Sequence, residues 1–228
     1  MPLVLENNLP LVYVVDDDEP VRKSLRRLLK ADGFDVLSFA SAEDFLEGDR
    51  SAVPCCLVLD IRMPGLTGIE LQKDLKSRLP DLPIVFITGH GDVPMSVQAM
   101  KDGAIDFLEK PFDDVDLVLA IRKAISLHNS RRKYSREITE LERRISSLTR
   151  RENEVFALVV TGLMNKQIAS ILGVTEKTIK VHRGRVMQKM EVVSLAELVR
   201  AAERAGVIVE NIDLLAGKVL QDAATANL

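Results

Sequence analysis

The sequence has no long uninterrupted run of apolar residues and very few cysteines. No run approaches the roughly 18 residues of a membrane-spanning helix, and no secretory signal is visible at the N-terminus. Cys55 and Cys56 are adjacent, so in a strand they point to opposite faces, which disfavours a shared metal or a disulfide between them. We expect buried strand residues in a reducing compartment, the cytoplasm, and no membrane partner.

A large excess of one charge is also lacking. The formal net charge is −3, from 31 basic and 34 acidic residues, which by itself argues against a uniformly basic nucleic-acid-binding protein. The charge is unevenly distributed, however, with a net of −8 in residues 1–130 and +5 in residues 131–228. This change of sign predicts two domains with different partners, and 46% hydrophobic residues indicate globular domains rather than disordered or fibrous ones.

The first part of the chain alternates short apolar runs with helical patterns. The runs are Leu11–Val15, Val36–Phe39, Cys55–Asp60, Pro83–Thr88 and Ala104–Glu109, and the helical patterns lie near residues 20–31, 41–47, 66–78, 93–102 and 113–127. Five repeats of strand and helix predict an α/β domain with a parallel sheet covered by helices on both faces. In such sheets the site lies beyond the carboxyl ends of the strands.

Residues 128–148 form a segment of different character, without glycine or proline. Its apolar residues are spaced by 4, 3, 4 and 3 positions, at Tyr134, Ile138, Leu141, Ile145 and Leu148. This spacing is typical of a heptad seam. Two interpretations are open: a linker helix that pairs two chains, or a single helix whose apolar stripe lies on a neighbouring domain.

From Thr149 onwards the pattern is entirely helical. Thr149 with Glu152, and Ser194 with Glu197, have the form of capping boxes that open helices. We predict that Asn165 caps one helix and Thr175 caps the next, and that Gly173 ends the first of the two. The residues beyond 206 give no readable signal, and we expect about the last dozen residues to be frayed.

A second pattern places polar side chains where the predicted strands end. Asp16, Asp17 and Asp18 follow the first strand, Asp60 ends the third, Thr88 ends the fourth, and Lys110 follows the fifth. The parallel topology brings these groups to one crevice, where clustered carboxylates need a cation. An all-oxygen ligand set suits Mg²⁺, and an aspartate beside it can act as a nucleophile toward a phosphoryl group.

Four segments carry a resemblance to a known family: VVDDDEP (14–20), LDIRMPGLTG (59–68), FITGHGD (86–92) and DFLEKPF (106–112). In this order they resemble the receiver domain of two-component response regulators, over residues 10–127. The resemblance implies a five-stranded flavodoxin-like, or CheY-like, fold. It further implies a sensor histidine kinase as the phosphoryl donor and Mg²⁺ as the cofactor.

The same resemblance assigns roles to individual residues. Asp60 is the expected phosphoacceptor, with Thr88 bonding the phosphoryl group and Lys110 pairing with it. The expected metal ligands are Asp16, Asp17, Asp60 and the backbone carbonyl of Arg62. Phe107 occupies the place of an aromatic switch, and the Lys110–Pro111 bond is expected to be cis.

A phosphatase is the alternative interpretation of this acidic site. Phosphatases of the haloacid dehalogenase type also use an aspartate after a strand together with Mg²⁺, but they need a second aspartate two residues further on as the general acid. Arg62 stands at that position, so we expect no turnover of an external substrate. Any chemistry is then phosphoryl transfer to the protein itself, followed by hydrolysis.

Residues 175–190 form a basic helical pattern, with a net charge of +4. Following a short helix and a glycine-containing turn, they predict a helix-turn-helix whose second helix enters the major groove of DNA. The stretch from Leu148 to Leu198 is similar to LuxR/FixJ-type DNA-binding domains. By that resemblance, the DNA-facing residues are Asn165, Lys166, Lys177, Thr178, Lys180, Val181, Arg183, Gly184 and Arg185. Among these, Asn165 and Lys166 are expected to contact phosphates.

Both halves together resemble the FixJ subfamily. We predict a receiver at 1–127, a helical linker and possible coiled coil at 128–148, a separate all-α four-helix helix-turn-helix domain at 149–210 and a tail at 211–228. The expected function is phosphorylation-dependent transcription regulation by a homodimer on palindromic double-stranded DNA, with RNA polymerase as a further partner. The competing hypothesis is a constitutive dimer that binds DNA or protein without phosphorylation.

Overall fold

The computed structural model describes residues 9–48, 53–89 and 93–207 of the chain. Its contacts divide the chain into two compact units, residues 1–133 and 134–228. This division lies within the segment that the sequence assigns to a linker. The predicted tail at 211–228 lies outside the described residues.

The first unit is built on a five-stranded parallel sheet. Its strands are β1 (Leu11–Val15), β2 (Asp35–Phe39), β3 (Cys55–Asp60), β4 (Ile84–Thr88) and β5 (Asp106–Glu109). They lie in the order β2-β1-β3-β4-β5, which is the flavodoxin-like order. The sequence therefore predicted the sheet correctly, with strand starts displaced by at most two residues.

The central strands are apolar throughout because both faces of the sheet are covered. Leu11, Tyr13 and Val15 belong to the core on one face, and Val12 and Val14 to the core on the other. Cys55 and Cys56 divide in the same way, so the prediction of buried strand cysteines on opposite faces is confirmed.

Five helices follow the strands: α1 (Glu19–Ala31), α2 (Ala42–Glu47), α3 (Gly68–Arg78), α4 (Val93–Lys101) and α5 (Asp114–Ser146). Local chemistry sets where α1 and α3 begin. The Asp18 carboxylate accepts the N–H of Val21 at the start of α1, and Thr67 forms a capping box with Glu70 at the start of α3.

Helix α5 is longer than the sequence pattern suggested. It runs for 33 residues without interruption, whereas the predicted receiver helix ends at residue 127 and a separate linker begins at 128. The segment 128–148 contains no glycine or proline, so nothing in it stops the preceding helix. Among the described residues, no helix is both long and apolar enough to cross a membrane.

The second unit contains α6 (Arg150–Val160), α7 (Asn165–Leu172), α8 (Glu176–Lys189) and α9 (Leu195–Arg204). Thr149, Thr175 and Ser194 cap α6, α8 and α9 as predicted. Gly173 ends α7 in the left-handed conformation, with φ 63°, where an L side chain is strained.

The predicted cap of α7 was wrong. Asn165 is the first residue of the helix and Met164 precedes it as the N-cap. Met164 has no side-chain oxygen, and the Gln167 carboxamide instead accepts the Met164 N–H at 2.8 Å. The Asn165 carboxamide is engaged elsewhere, as the acceptor of a hydrogen bond from Arg183.

The structure also divides the predicted heptad seam. Leu141, Ile145 and Leu148 pack against the hydrophobic core of the second unit, which is the second of the two interpretations of this segment. Tyr134 is exposed and Ile138 half-buried, and neither belongs to that core cluster. Three of the five apolar positions of this segment thus pack within their own chain, and the pairing of two chains stays a prediction.

Candidate functional site

Three carboxylates meet at the carboxyl ends of β1 and β3. Asp16 and Asp17 follow β1 and Asp60 ends β3, and one carboxylate oxygen from each lies within 4.8 Å of the others. Asp16 and Asp60 are buried and Asp17 is exposed. Asp16 and Asp60 therefore lie inside a crevice, and Asp17 lies on its solvent-exposed side.

Lys110 bridges the two buried carboxylates. Its Nζ lies 2.6 Å from Asp16 Oδ2 and 2.8 Å from Asp60 Oδ2. Lys110 follows β5 and is 50 residues beyond Asp60 in the chain. The parallel sheet brings these two residues together. Its ammonium charge offsets the repulsion between the carboxylates.

Burial and this lysine act on the acidity of the site in opposite directions. Burial raises the pKa of Asp60 above its ordinary value, although the hydrogen bond and charge of Lys110 work against that rise. Burial also acts to lower the pKa of Lys110, but hydrogen bonds and charges from Asp16 and Asp60 outweigh it and the net pKa is raised. The lysine therefore carries its positive charge at neutral pH.

Backbone and side-chain hydrogen bonds fix the carboxylates in place. The N–H of Asp18 donates to Asp16 Oδ1 at 2.8 Å, and the N–H of Arg62 donates to Asp60 Oδ1 at 3.2 Å. Arg22, one turn into α1, donates from Nη1 to the backbone carbonyl of Asp16 at 2.6 Å. Sequence reasoning missed Arg22, whose signal is a cation in the first turns of the helix that follows the acidic run.

Thr88 and Phe107 lie on β4 and β5. Thr88 is buried at the end of β4, and its carbonyl accepts the N–H of Lys110 at 2.7 Å. Phe107 pairs with Phe86 across the two strands and is half-buried against one face of the sheet. The Lys110–Pro111 bond is cis, as the resemblance implied.

Gly68 is a second residue that sequence reasoning passed over, although it closes a quoted motif. A Cβ at this position would overlap the backbone carbonyl of Asp60, well inside van der Waals contact. Its N–H donates to the carbonyl of Ile61 at 3.0 Å. The absence of a side chain lets the start of α3 lie directly against the end of β3.

The donor set suits a hard divalent cation. Three clustered carboxylates offer oxygen ligands of the kind that Mg²⁺ prefers. The backbone of Arg62 lies at the cluster, as its hydrogen bond to Asp60 shows. The predicted metal ligands are therefore compatible with Mg²⁺.

In the second unit, α8 has one buried and one exposed face. Ile179, Val186 and Met190 are buried in the core of this unit. Apart from Glu176 in the first turn, its exposed residues recur three and four positions apart, as one stripe along the helix: Lys177, Lys180, Val181, Gly184, Arg185 and Gln188. Five of these six are among the residues predicted to face DNA, and Thr178, also predicted, is half-buried at the start of the helix.

Two basic residues of α8 are engaged inside their own unit. Arg183 donates from Nη1 to Asn165 Oδ1 at 3.1 Å, so both predicted DNA contacts are half-buried partners of each other. Lys189 donates to the buried carboxylate of Glu152 at 2.6 Å. Lys177, Lys180 and Arg185 carry the positive charge of the exposed stripe, with Lys166 exposed at the start of α7.

Comparison with known proteins agrees with this pair of sites. Residues 12–122 match the response regulator receiver domain, and residues 146–202 match the bacterial regulatory proteins of the luxR family. The chain is 46% identical over 197 residues to nodulation protein W of Bradyrhizobium diazoefficiens, covering 86% of this chain and 87% of that protein. It is 44% identical over 203 residues to the transcriptional regulatory protein FixJ of Azorhizobium caulinodans, covering 89% and 96%.

A solved structure extends the similarity to three dimensions. The response regulator StyR is 52% identical, with a TM-score of 0.80, over 86% of this chain and 99% of that one. A receiver joined to a LuxR-type domain is the plan of a regulator that takes its signal from a histidine kinase and binds DNA, not of an enzyme. The chain belongs to the FixJ-type two-component response regulators, which are phosphorylation-dependent regulators of transcription.

Proposed function

We propose that Asp60 is the phosphoacceptor and that its phosphorylation controls DNA binding through the exposed face of α8. The observation that carries the first half is the bridge from Lys110 to Asp16 and Asp60 in a crevice at the carboxyl ends of the strands. The second half is supported by the basic stripe on a helix whose opposite face is buried.

In the proposed reaction, a carboxylate oxygen of Asp60 attacks the phosphorus of a phosphohistidine on the kinase. A P–O bond forms, the P–N bond breaks, and the histidine nitrogen departs with the electron pair and takes up a proton. Lys110 and Thr88 stabilise the transferred oxygens. Asp16, Asp17, Asp60 and the Arg62 carbonyl would hold a Mg²⁺ ion, which would further neutralise the phosphoryl charge.

Two consequences follow from the acyl phosphate. Water can hydrolyse it to phosphate and the free carboxylate, so slow self-dephosphorylation is the one hydrolytic activity we propose. The phosphoryl group also adds a charge of about −1.5 to −2. We propose that this charge draws in Thr88 and lets Phe107 turn inward, which reshapes the surface formed by residues 93–112.

That surface is our candidate for pairing two chains. Val97 and Met100 on α4 are 45% and 44% exposed and lie one turn apart, so they offer a small apolar patch that a second copy can cover. Pairing of two copies about a two-fold axis would present two α8 helices to the half-sites of a palindrome. Tyr134 and Ile138 of α5 are the linker residues that can add to this contact.

The remaining expectations rest on these partners. A kinase that phosphorylates Asp60 and a DNA site for α8 both place the working protein in the cytoplasm. RNA polymerase as a further partner stays a prediction. We keep the domain limits of 1–127, 128–148 and 149–210 as proposals, with the division between the two units inside the linker.

The experiment that tests the proposal is labelling with acetyl phosphate and Mg²⁺, followed by mass measurement of the intact chain and of its assembly state. The wild type is expected to gain one phosphoryl group, form more dimer and bind DNA more tightly. Asp60→Asn is expected to show none of these changes, whereas Asp18→Asn, at a helix cap beside the site, is expected to be labelled.

Persistent labelling of Asp60→Asn would defeat the assignment of the acceptor. A wild-type protein that is labelled while its dimer content and DNA affinity stay unchanged would favour the constitutive dimer instead. Release of phosphate from a small phosphoester with repeated turnover would favour the phosphatase.

A further inference from the structure

A second cavity lies at the opposite end of the sheet from the acidic crevice. It has a volume of about 290 Å³, is open to solvent, and is lined by residues of β1, β3, α3, α5 and the connection from α3 to β4. Cys55, which lines it, is the first residue of β3, so the cavity lies at the amino ends of the strands. Because receiver chemistry takes place at the carboxyl ends, this cavity is not part of the phosphoacceptor site.

The cavity combines an apolar lining with a cationic one. Tyr13, Leu79 and Leu82 contribute apolar surface. Arg78 and Arg132 contribute guanidinium groups, and Asp81 is the single acid among the lining residues. The formal charge around the cavity is thus +1 when His128 is neutral, which complements a monoanion.

His128 is held in its neutral form by the fold. Its Nδ1 accepts the backbone N–H of Cys55 at 2.9 Å and lies 3.4 Å from the Cys55 sulfur. Burial lowers the pKa of this imidazole, and the charges of Arg132 and Arg131 lower it further, against the opposing charge of Asp81. With Nδ1 used as an acceptor, the ring proton is on Nε2, so the histidine adds a donor and no charge.

Arg78 on α3 can leave its ion pair and bind a ligand at little cost in free energy. Arg78 has a side chain that is 61% exposed, and its ion pair with Asp74 is long, at 3.8 Å. An exposed ion pair of this kind contributes about 0–1 kcal/mol. A carboxylate that accepts two hydrogen bonds from a guanidinium offers a stronger interaction than this pair.

We propose that this cavity binds a small monocarboxylate with an apolar body, with its carboxylate at Arg78 and Arg132. A carboxylate fits better than phosphate because the net charge of the lining residues is +1 and most of the other lining residues are apolar. Such a ligand ties α5 to the connection between α3 and β4, at the last turns of α5 that belong to the first unit. The site provides an input that is chemically independent of phosphorylation.

The test is a titration of the full-length, ¹⁵N-labelled protein, followed through the Cys55 amide, whose N–H contacts His128. The probes are hexanoate, hexanol and hexylamine, which share one apolar body and differ in charge, and inorganic phosphate. Hexanoate is expected to shift this amide saturably. Hexanol is expected to bind about tenfold more weakly, the worth of a charge-assisted hydrogen bond, and hexylamine and phosphate not at all.

Variants locate the carboxylate. Arg78→Met and Arg132→Met keep the apolar stem and remove the charge, and each is expected to weaken hexanoate binding about tenfold. Lys123→Met, an exposed lysine on the same helix that is not among the lining residues, is expected to leave binding unchanged. Arg78 is exposed, so its replacement does not threaten the fold.

Three results would overturn the proposal: no saturable shift with hexanoate, equal binding of hexanoate and hexylamine, or unchanged binding in both arginine variants. Saturable binding of phosphate in place of hexanoate would likewise reject the carboxylate. None of these outcomes bears on labelling of Asp60, so this proposal and the proposed function can fail separately.

Discussion

The ammonium of Lys110 lies 2.8 Å from one oxygen of the Asp60 carboxylate, while the other oxygen accepts the N–H of Arg62 at 3.2 Å. Both oxygens of the proposed nucleophile are thus engaged before any phosphoryl donor arrives. The same lysine contacts Asp16. Lys110 therefore neutralises part of the charge of the buried acidic pair.

Replacing Lys110 by Met tests this balance. The change leaves two buried carboxylates without their cation, so we expect a loss of stability of about 1–3 kcal/mol without metal. Mg²⁺ is expected to bind the variant more tightly than the wild type, because the metal no longer competes with the Lys110 ammonium. Its binding is expected to restore much of the lost stability. Urea unfolding with and without Mg²⁺ measures both effects.

The matched control is Lys30→Met, an exposed lysine at the end of α1. It is expected to leave stability within about 0.5 kcal/mol of the wild type and the Mg²⁺ effect unchanged. Equal Mg²⁺ stabilisation of the wild type and the Lys110 variant would show that the lysine and the metal do not share the site.

Gly68 gives a prediction about the end of β3, where Asp60 lies. Gly68→Ala places a methyl group against the Asp60 carbonyl, which has no freedom to move without displacing the end of β3. We expect a loss of about 1–3 kcal/mol from overpacking and slower labelling of Asp60 by acetyl phosphate. Unfolding curves and labelling rates measure the two effects.

Gly184→Ala is the control because it has no atom within 4 Å of its added Cβ and lies inside α8. It is expected to stabilise the chain by about 0.5–1 kcal/mol, since alanine is the better helix former, and to leave labelling unchanged. Normal stability and labelling of Gly68→Ala would show that the loop adjusts freely.

The sequence predicted the elements well and the long-range pairs poorly. Strands β1 and β3 were predicted to the residue because they are apolar on both faces, and Thr149, Thr175 and Ser194 were predicted as caps because capping is a local effect. Local signals cannot show that Arg183 contacts Asn165 or that Lys189 contacts Glu152. These pairs are separated by 18 and 37 residues, and only the fold brings them together.

Glu152 provides a pH prediction. The hydrogen bond from Lys189 lowers the pKa of this carboxyl to about 2, helped by the backbone N–H of Thr149. Because the pKa in the folded state is below the ordinary value of 4.5, the stabilisation is complete above that value and is lost as the pH falls toward 2. Unfolding of the second unit should therefore become easier across this range.

Replacing Glu152 by Gln removes the titrating group while keeping the shape of the side chain. The variant is expected to be less stable at pH 7, by about 1–3 kcal/mol, from the loss of a charge-assisted hydrogen bond. Its stability should then change less between pH 4.5 and 2 than that of the wild type. Parallel acid-limb slopes for the two proteins, measured by circular dichroism, would contradict the role given to Glu152.

The exposed stripe of α8 gives the last prediction. If Lys180 and Arg185 neutralise DNA phosphates, each contact releases condensed counterions, and the slope of log K against log salt reflects their number. Replacing both by Met should weaken binding and make this slope less negative by about 1.8. Titrations of a palindromic site and of unrelated DNA at several salt concentrations supply the slopes.

Position on the stripe, rather than total charge, is what this prediction requires. Arg200→Met removes an exposed cation of α9, and Arg150→Met removes an exposed cation of α6. Each carries the same charge change per residue, yet neither belongs to the exposed stripe, so both should keep the wild-type slope. If they reduce it as much as single replacements at Lys180 or Arg185, DNA is attracted by the net charge of the domain and α8 is not its recognition helix.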